Sequence, residues 1–182
     1  MTASAQLRIA RLAATPAVHR AFHWLHIHQL QLRRWQLEIL RIPAPPFGEQ
    51  ARAAWFLEQF HSLGLANPHI DEAGNALAEL PAAEPLGPHS ELPTPPVILL
   101  SAHLDTVFPT ELPIEPIELE TRIVAPGACD NAAGLSGLLA LAAGMRHAEL
   151  APAVPILFAA NVGEEGEGDL RGMRHQIGRA HV

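Results

Sequence analysis

The sequence contains no lysine and no tyrosine, and only one cysteine, Cys129, in 182 residues. A single cysteine excludes an internal disulfide and any cysteine zinc cluster. No apolar run approaches the eighteen or so residues of a membrane span, and the opening MTASAQLRIARLAATP lacks the apolar core and cleavage site of a secretory signal. Positive charge is scarce: all twelve basic residues are arginine, against nineteen acidic ones, for a net charge of −7. That balance speaks against a nucleic-acid partner held by phosphate contacts. Proline and glycine, at 17 and 13 residues, stay below the range that marks low complexity, and 48% apolar content can fill one ordinary core. The expectation is a soluble, cytoplasmic, globular protein with neither a membrane nor a nucleic-acid partner.

Histidine, by contrast, is plentiful. Four of the eleven (His19, His23, His26 and His28) crowd one stretch, and His19 and His23 stand one helical turn apart, a spacing that could share a metal. No carboxylate lies close enough in sequence to complete such a site, so a solvated helix face is the expected reading.

Apolar spacing predicts one helix from about Ala17 to Arg41, ended by Ile42-Pro43. A stiff turn, Pro43-Ala-Pro-Pro-Phe-Gly48, leads into a second amphipathic helix from about Glu49 to Leu63, with Ala54, Leu57 and Phe60 inward and Gly64 at its end. The turn Asp71-Glu-Ala-Gly-Asn75 separates two short strand candidates. Pro81 to Pro96, with six prolines, reads as loop. The run Val97-Ile-Leu-Leu100 suggests a strand buried on both faces, and Ile114 to Val124 a strand pair. Gly134 to Leu150 reads as a small-residue helix, and Pro155 to Val162 as another buried strand. Strands alternating with helices predict an α/β layered fold.

Three short segments hold polar residues that a core does not need. Ser101-Ala-His103-Leu-Asp105-Thr follows the first buried strand, with His103 and Asp105 on one side of extended chain just beyond its carboxyl end. Taken singly, this reads equally as a structural pair. Ala125-Pro-Gly-Ala-Cys-Asp130-Asn-Ala-Ala-Gly134 opens the small-residue helix, and Asp130 could be a helix cap or a carboxylate bridging two cations. Asn161-Val-Gly-Glu164-Glu165-Gly follows the second buried strand. Adjacent carboxylates there are either a solvated acidic loop or a pair that a cation holds ionised.

In series, Ala-His103-Leu-Asp105-Thr-Val, Gly-Ala-Cys-Asp130-Asn-Ala-Ala-Gly-Leu and Glu164-Glu165-Gly resemble the dizinc exopeptidase family of glutamate carboxypeptidase, acetylornithine deacetylase and peptidase T. Ile42-Pro-Ala-Pro-Pro-Phe-Gly-Glu and Asp71-Glu-Ala-Gly-Asn75 are similar to that family's N-terminal landmarks. The resemblance implies a three-layer α/β/α catalytic domain and hydrolysis of a peptide or N-acyl amino-acid amide bond through a metal-bound water. It implies two Zn2+, with Co2+ or Mn2+ able to stand in, and a small peptide or N-acyl amino-acid substrate. By the same resemblance His103 would bind one metal, Glu165 the other and Asp130 both. Asp105 would orient His103 from behind, Glu164 would act as general base, and the peptide between Asp130 and Asn131 would be cis. Two rival readings are the related dizinc aminopeptidase family and a non-catalytic binding or scaffold chain of the same fold.

Members of that family are about twice as long. They add a further acidic ligand, a late histidine and an inserted lid domain that commonly dimerises. The expectation is thus a catalytic domain truncated before the lid and dimerisation domain, occupying residues 1–175, from a parent that could be a homodimer. The last seven residues, Gln176-Ile-Gly-Arg-Ala-His-Val182, depart from the family pattern and coincide with the translation of a common sequencing-adapter oligonucleotide. Residues 176–182 are therefore expected to be a non-native tail, and His181 is not counted as a ligand.

Overall fold

The chain folds as a mixed α/β unit in which four helices precede five strands, and helix and strand alternate only toward the C-terminal end. The computed structural model describes residues 2–83 and 96–179. Its helices are α1 (Thr2–Ala13), α2 (Pro16–Ile27), α3 (Gln29–Arg41), α4 (Gln50–Ser62), α5 (Gly134–His147) and α6 (Arg171–Arg179). Its strands are β1 (Ala66–Ile70), β2 (Ala76–Leu80), β3 (Ile98–His103), β4 (Ile117–Glu118), β5 (Ile123–Val124) and β6 (Ile156–Asn161). Most of the proline-rich stretch, and the final three residues with His181, lie outside the described residues.

β1, β2, β6 and β3 form one mixed sheet in that order, while β4 and β5 pair by themselves. β6 runs antiparallel to β2 and parallel to β3, with α5 in the crossover from β3 to β6. The registers Leu100↔Phe158, Ala102↔Ala160 and Ala78↔Phe158 align alternate residues across the sheet. Those residues join Phe56 and Phe60 of α4, Ile39 of α3 and Leu135 and Leu139 of α5 in one apolar cluster. One face of the sheet is thus covered by α3, α4 and α5.

Three expectations need correction. The long N-terminal helix breaks at His28, whose backbone leaves helical geometry (φ −103, ψ 21). There the imidazole stacks on Trp24 with ring centroids 4.2 Å apart, and its Nδ1 lies 2.8 Å from the Trp24 carbonyl oxygen, which also accepts the His28 backbone N–H (3.0 Å). β3 is not buried on both faces: among the described strands only β6 pairs with it, and Val97 and Ile98 remain 52% and 46% exposed. α4 buries Arg52, Ala53, Phe56 and Phe60, leaving Ala54 exposed. Arg52 turns inward because main-chain carbonyls take up its guanidinium: Nε donates to Ile42 (3.0 Å) and Nη1 to Leu104 (2.5 Å). α1 was not foreseen, and α6 continues through Gln176 without a break.

Candidate metal centre

The parallel pairing of β3 with β6 brings His103 opposite Asn161, so both chains leave the sheet side by side at their carboxyl ends. Open α/β sheets place ligands in this crevice. His103 ends β3, Asp130 sits in the irregular turn before α5, and Glu164 and Glu165 follow β6. His103 Nε2 lies 2.9 Å from Asp130 Oδ1. One donor atom each from His103, Glu164 and Glu165 lies within 4.8 Å of the others. His103 thus has Asp130 within hydrogen-bond distance and the glutamate pair close by. The Asp130–Asn131 peptide is cis. His19, His23 and His26 lie exposed on α2, the solvated face expected of them.

Asp105 stands behind His103 and is fully buried, but it acts differently from expectation. Its main-chain carbonyl accepts from His103 Nδ1 (3.1 Å), whereas its carboxylate is 3.7 Å from that nitrogen. The carboxylate oxygens instead accept the backbone N–H of Glu164 (2.9 Å) and of Glu165 (2.7 Å). One residue thereby aims His103 with its backbone and the glutamate pair with its side chain. With Nδ1 so engaged, Nε2 is the nitrogen presented to the cleft, the arrangement that a second partner imposes on metal-binding histidines.

The electrostatics are those of a site short of positive charge. Burial would lower the His103 pKa, but the Asp105 carboxylate, then Asp130 and Glu164, outweigh it and raise the value from 6.5 to about 9. Burial raises the Glu165 pKa, and the charges of Asp130 and Glu164 add to the effect. Burial also pushes Asp105 upward, but His103 and the two backbone N–H groups prevail and hold it below 3.8. A divalent cation would offset the excess negative charge that lifts Glu165 and would displace the proton that His103 holds. One imidazole and three carboxylates are a nitrogen and oxygen donor set suited to zinc, cobalt or manganese. The residues present fit such an ion.

Supporting residues that sequence reasoning left without a role emerge around the glutamate loop. Asn75 Oδ1 accepts Val162 N–H (2.9 Å), and Glu49 Oε1 accepts Gly163 N–H (3.1 Å). Both had been noticed only as parts of the landmarks Pro-Pro-Phe-Gly-Glu49 and Asp71-Glu-Ala-Gly-Asn75. The signal available was a glutamate placed just before a helix and an asparagine just before a strand, neither of which the core requires.

A mixed sheet flanked by helices thus gathers a histidine and carboxylates at adjoining strand ends. Residues 99–182 match the model of peptidase family M20/M25/M40. Among solved structures, it resembles the aminopeptidase PepT from Bacillus cereus at 23% identity and a TM-score of 0.61, over 76% of this chain and 37% of that one. It resembles the dipeptidase Dug1p from Saccharomyces cerevisiae at 13% identity and a TM-score of 0.66, over 88% of this chain and 37% of that one. A third likeness is to the YXEP protein of Bacillus subtilis, described as a dinuclear metal binding peptidase, at 16% identity and a TM-score of 0.52, over 84% of this chain and 40% of that one. The chain thus spans well under half the length of each. No curated protein matches the sequence. Among the described residues, no helix is long and apolar enough to cross a membrane.

Proposed function

We propose that the chain is the metal-holding portion of a dinuclear hydrolase that cleaves a peptide or N-acyl amino-acid amide bond. The convergence of His103, Asp130, Glu164 and Glu165 at the carboxyl ends of β3 and β6 carries this reading. His103 would hold one zinc ion, Glu165 the other and Asp130 both, with cobalt or manganese as substitutes. Bound zinc would polarise the scissile carbonyl and make water a nucleophile near neutral pH. Glu164, the more exposed of the pair, is the general base: its carboxylate takes a proton from the attacking water and delivers it to the leaving amine. Asp105 keeps both neighbours in place through the hydrogen bonds to their amides.

Equilibrium dialysis of the 182-residue chain against Zn2+ and Co2+ tests the reading. Metal uptake that falls in His103→Ala and Glu165→Ala is expected. A wild-type chain that takes up no more than those two variants would leave a scaffold with the same fold. The same proposal treats residues 1–175 as part of the catalytic domain and 176–182 as a foreign tail. Reading the source DNA through codon 176 checks that boundary.

A further inference from the structure

Glu49 is a carboxylate with 1% of its surface exposed, held by two partners. Its Oε1 accepts the N–H of Gly163 (3.1 Å), and its Oε2 accepts from Arg171 Nη2 (2.7 Å). The Arg171 guanidinium stacks over the Phe47 ring at 4.6 Å, while its Nη1 is buried without a hydrogen-bond partner. A buried ion pair of this kind is a poor source of stability, since an apolar pair of similar volume often serves as well or better. What an apolar pair cannot do is accept an amide hydrogen. That amide belongs to the residue immediately before Glu164.

Gly163 has φ +64, and a Cβ there would lie 2.0 Å from Arg171 Nη1. The turn after β6 is therefore clamped on one side by Arg171 and on the other by polar side chains. Four successive amides are capped by buried groups: Val162 by Asn75, Gly163 by Glu49, Glu164 and Glu165 by the two oxygens of Asp105. No two of these capping residues are neighbours in sequence, so the turn's shape is imposed by three separate parts of the fold.

We propose that Glu49, charge-balanced by Arg171, is a positioning residue that sets the backbone turn from which Glu164 and Glu165 reach the metal centre. This rests on the metal-centre reading above. Removing Glu49 frees the Gly163 amide and strands Arg171, and the glutamate carboxylates lose their fixed separation from His103.

Amide hydrogen exchange on the metal-free 182-residue chain reads the turn directly, and Co2+ titration followed by its visible absorption reads the site. In Glu49→Ala, exchange at Gly163, Glu164 and Glu165 is expected to rise at least about tenfold relative to Ala159–Asn161 of β6, and Co2+ affinity to fall about 10–100-fold. Glu49→Gln keeps the shape but can satisfy only one of the two donors, and both effects should be intermediate; it also serves if Glu49→Ala does not fold. Phe60→Leu, in the helix that Glu49 precedes but away from the turn, should raise exchange evenly across β6 and the turn. Equal exchange at the turn in wild type and Glu49→Gln, or a rise shared evenly with β6, would overturn the positioning role. A wild-type chain that binds no Co2+ while turn exchange still responds to Glu49 would instead refute the metal reading and leave the clamp standing.

Discussion

Glu164 and Glu165 are neighbours in sequence but not in environment. Glu165 is partly buried, with burial and nearby carboxylates raising its pKa, whereas Glu164 is exposed. Removing Glu165 should therefore cost metal affinity by about 100-fold, at least the worth of an outer partner to a ligand. Glu164→Ala should keep the metal and, in a catalytically competent longer chain, lose roughly 10²–10⁴ in rate, the worth of a general base. Equal metal loss in both, measured by dialysis, would reverse the assignment. His103 adds a pH dependence. Its pKa of about 9 means that it is protonated at neutral pH without metal, yet only the neutral ring binds a cation. Zinc affinity should climb as pH rises from 7 toward 9 and level off above, with proton release detectable by calorimetry in buffers of different ionisation heat. Asp105 acts in the acid range. Its folded pKa is depressed below 3.8, so its contribution is present above that value and is lost as pH falls through the lower folded one. Asp105→Asn should unfold at lower urea concentration at pH 7, by about 2–3 kcal/mol, and show a shallower decline in stability below pH 4.

At the scale of elements, α4 shows what periodicity can and cannot read. Its existence and approximate span follow from apolar spacing, but its inward face includes Arg52, a residue that no hydrophobic pattern assigns to a core. Arg52 is accommodated because distant carbonyls of Ile42 and Leu104 accept its protons, information absent from the helix itself. Burial pulls its pKa down to about 10, against the opposing charge of Asp105. The corrected face makes a prediction. Phe56→Ala should cost about 3–5 kcal/mol in urea melts, while Ala54→Glu should stay within about 0.5 kcal/mol of wild type. The turn after β6 is the second such element: Gly163→Ala meets both a positive φ and Arg171, and should weaken metal binding. The break at His28 was equally hidden, since neither proline nor glycine marks it.

On the scale of the whole molecule, residue types and order determined a great deal. The apolar runs announced β6 and β3, the Asp71–Asn75 turn announced the β1–β2 hairpin, and His103, Asp130, Glu164 and Glu165 stood out as polar groups at element ends that a core does not need. These follow from local rules: alternation, turn chemistry and the donor atoms each side chain owns. Only the tertiary structure decided how the donors meet and what holds them. His103 and Asp130 are 27 residues apart, and Glu49 reaches Gly163 across 114. Their contact depends on β3 lying parallel to β6 with α5 crossing between, and on buried groups finding acceptors in remote segments. A polar side chain advertises its chemistry along the chain, but a buried one must be satisfied in space, and its partner is chosen by the packing of the sheet and helices.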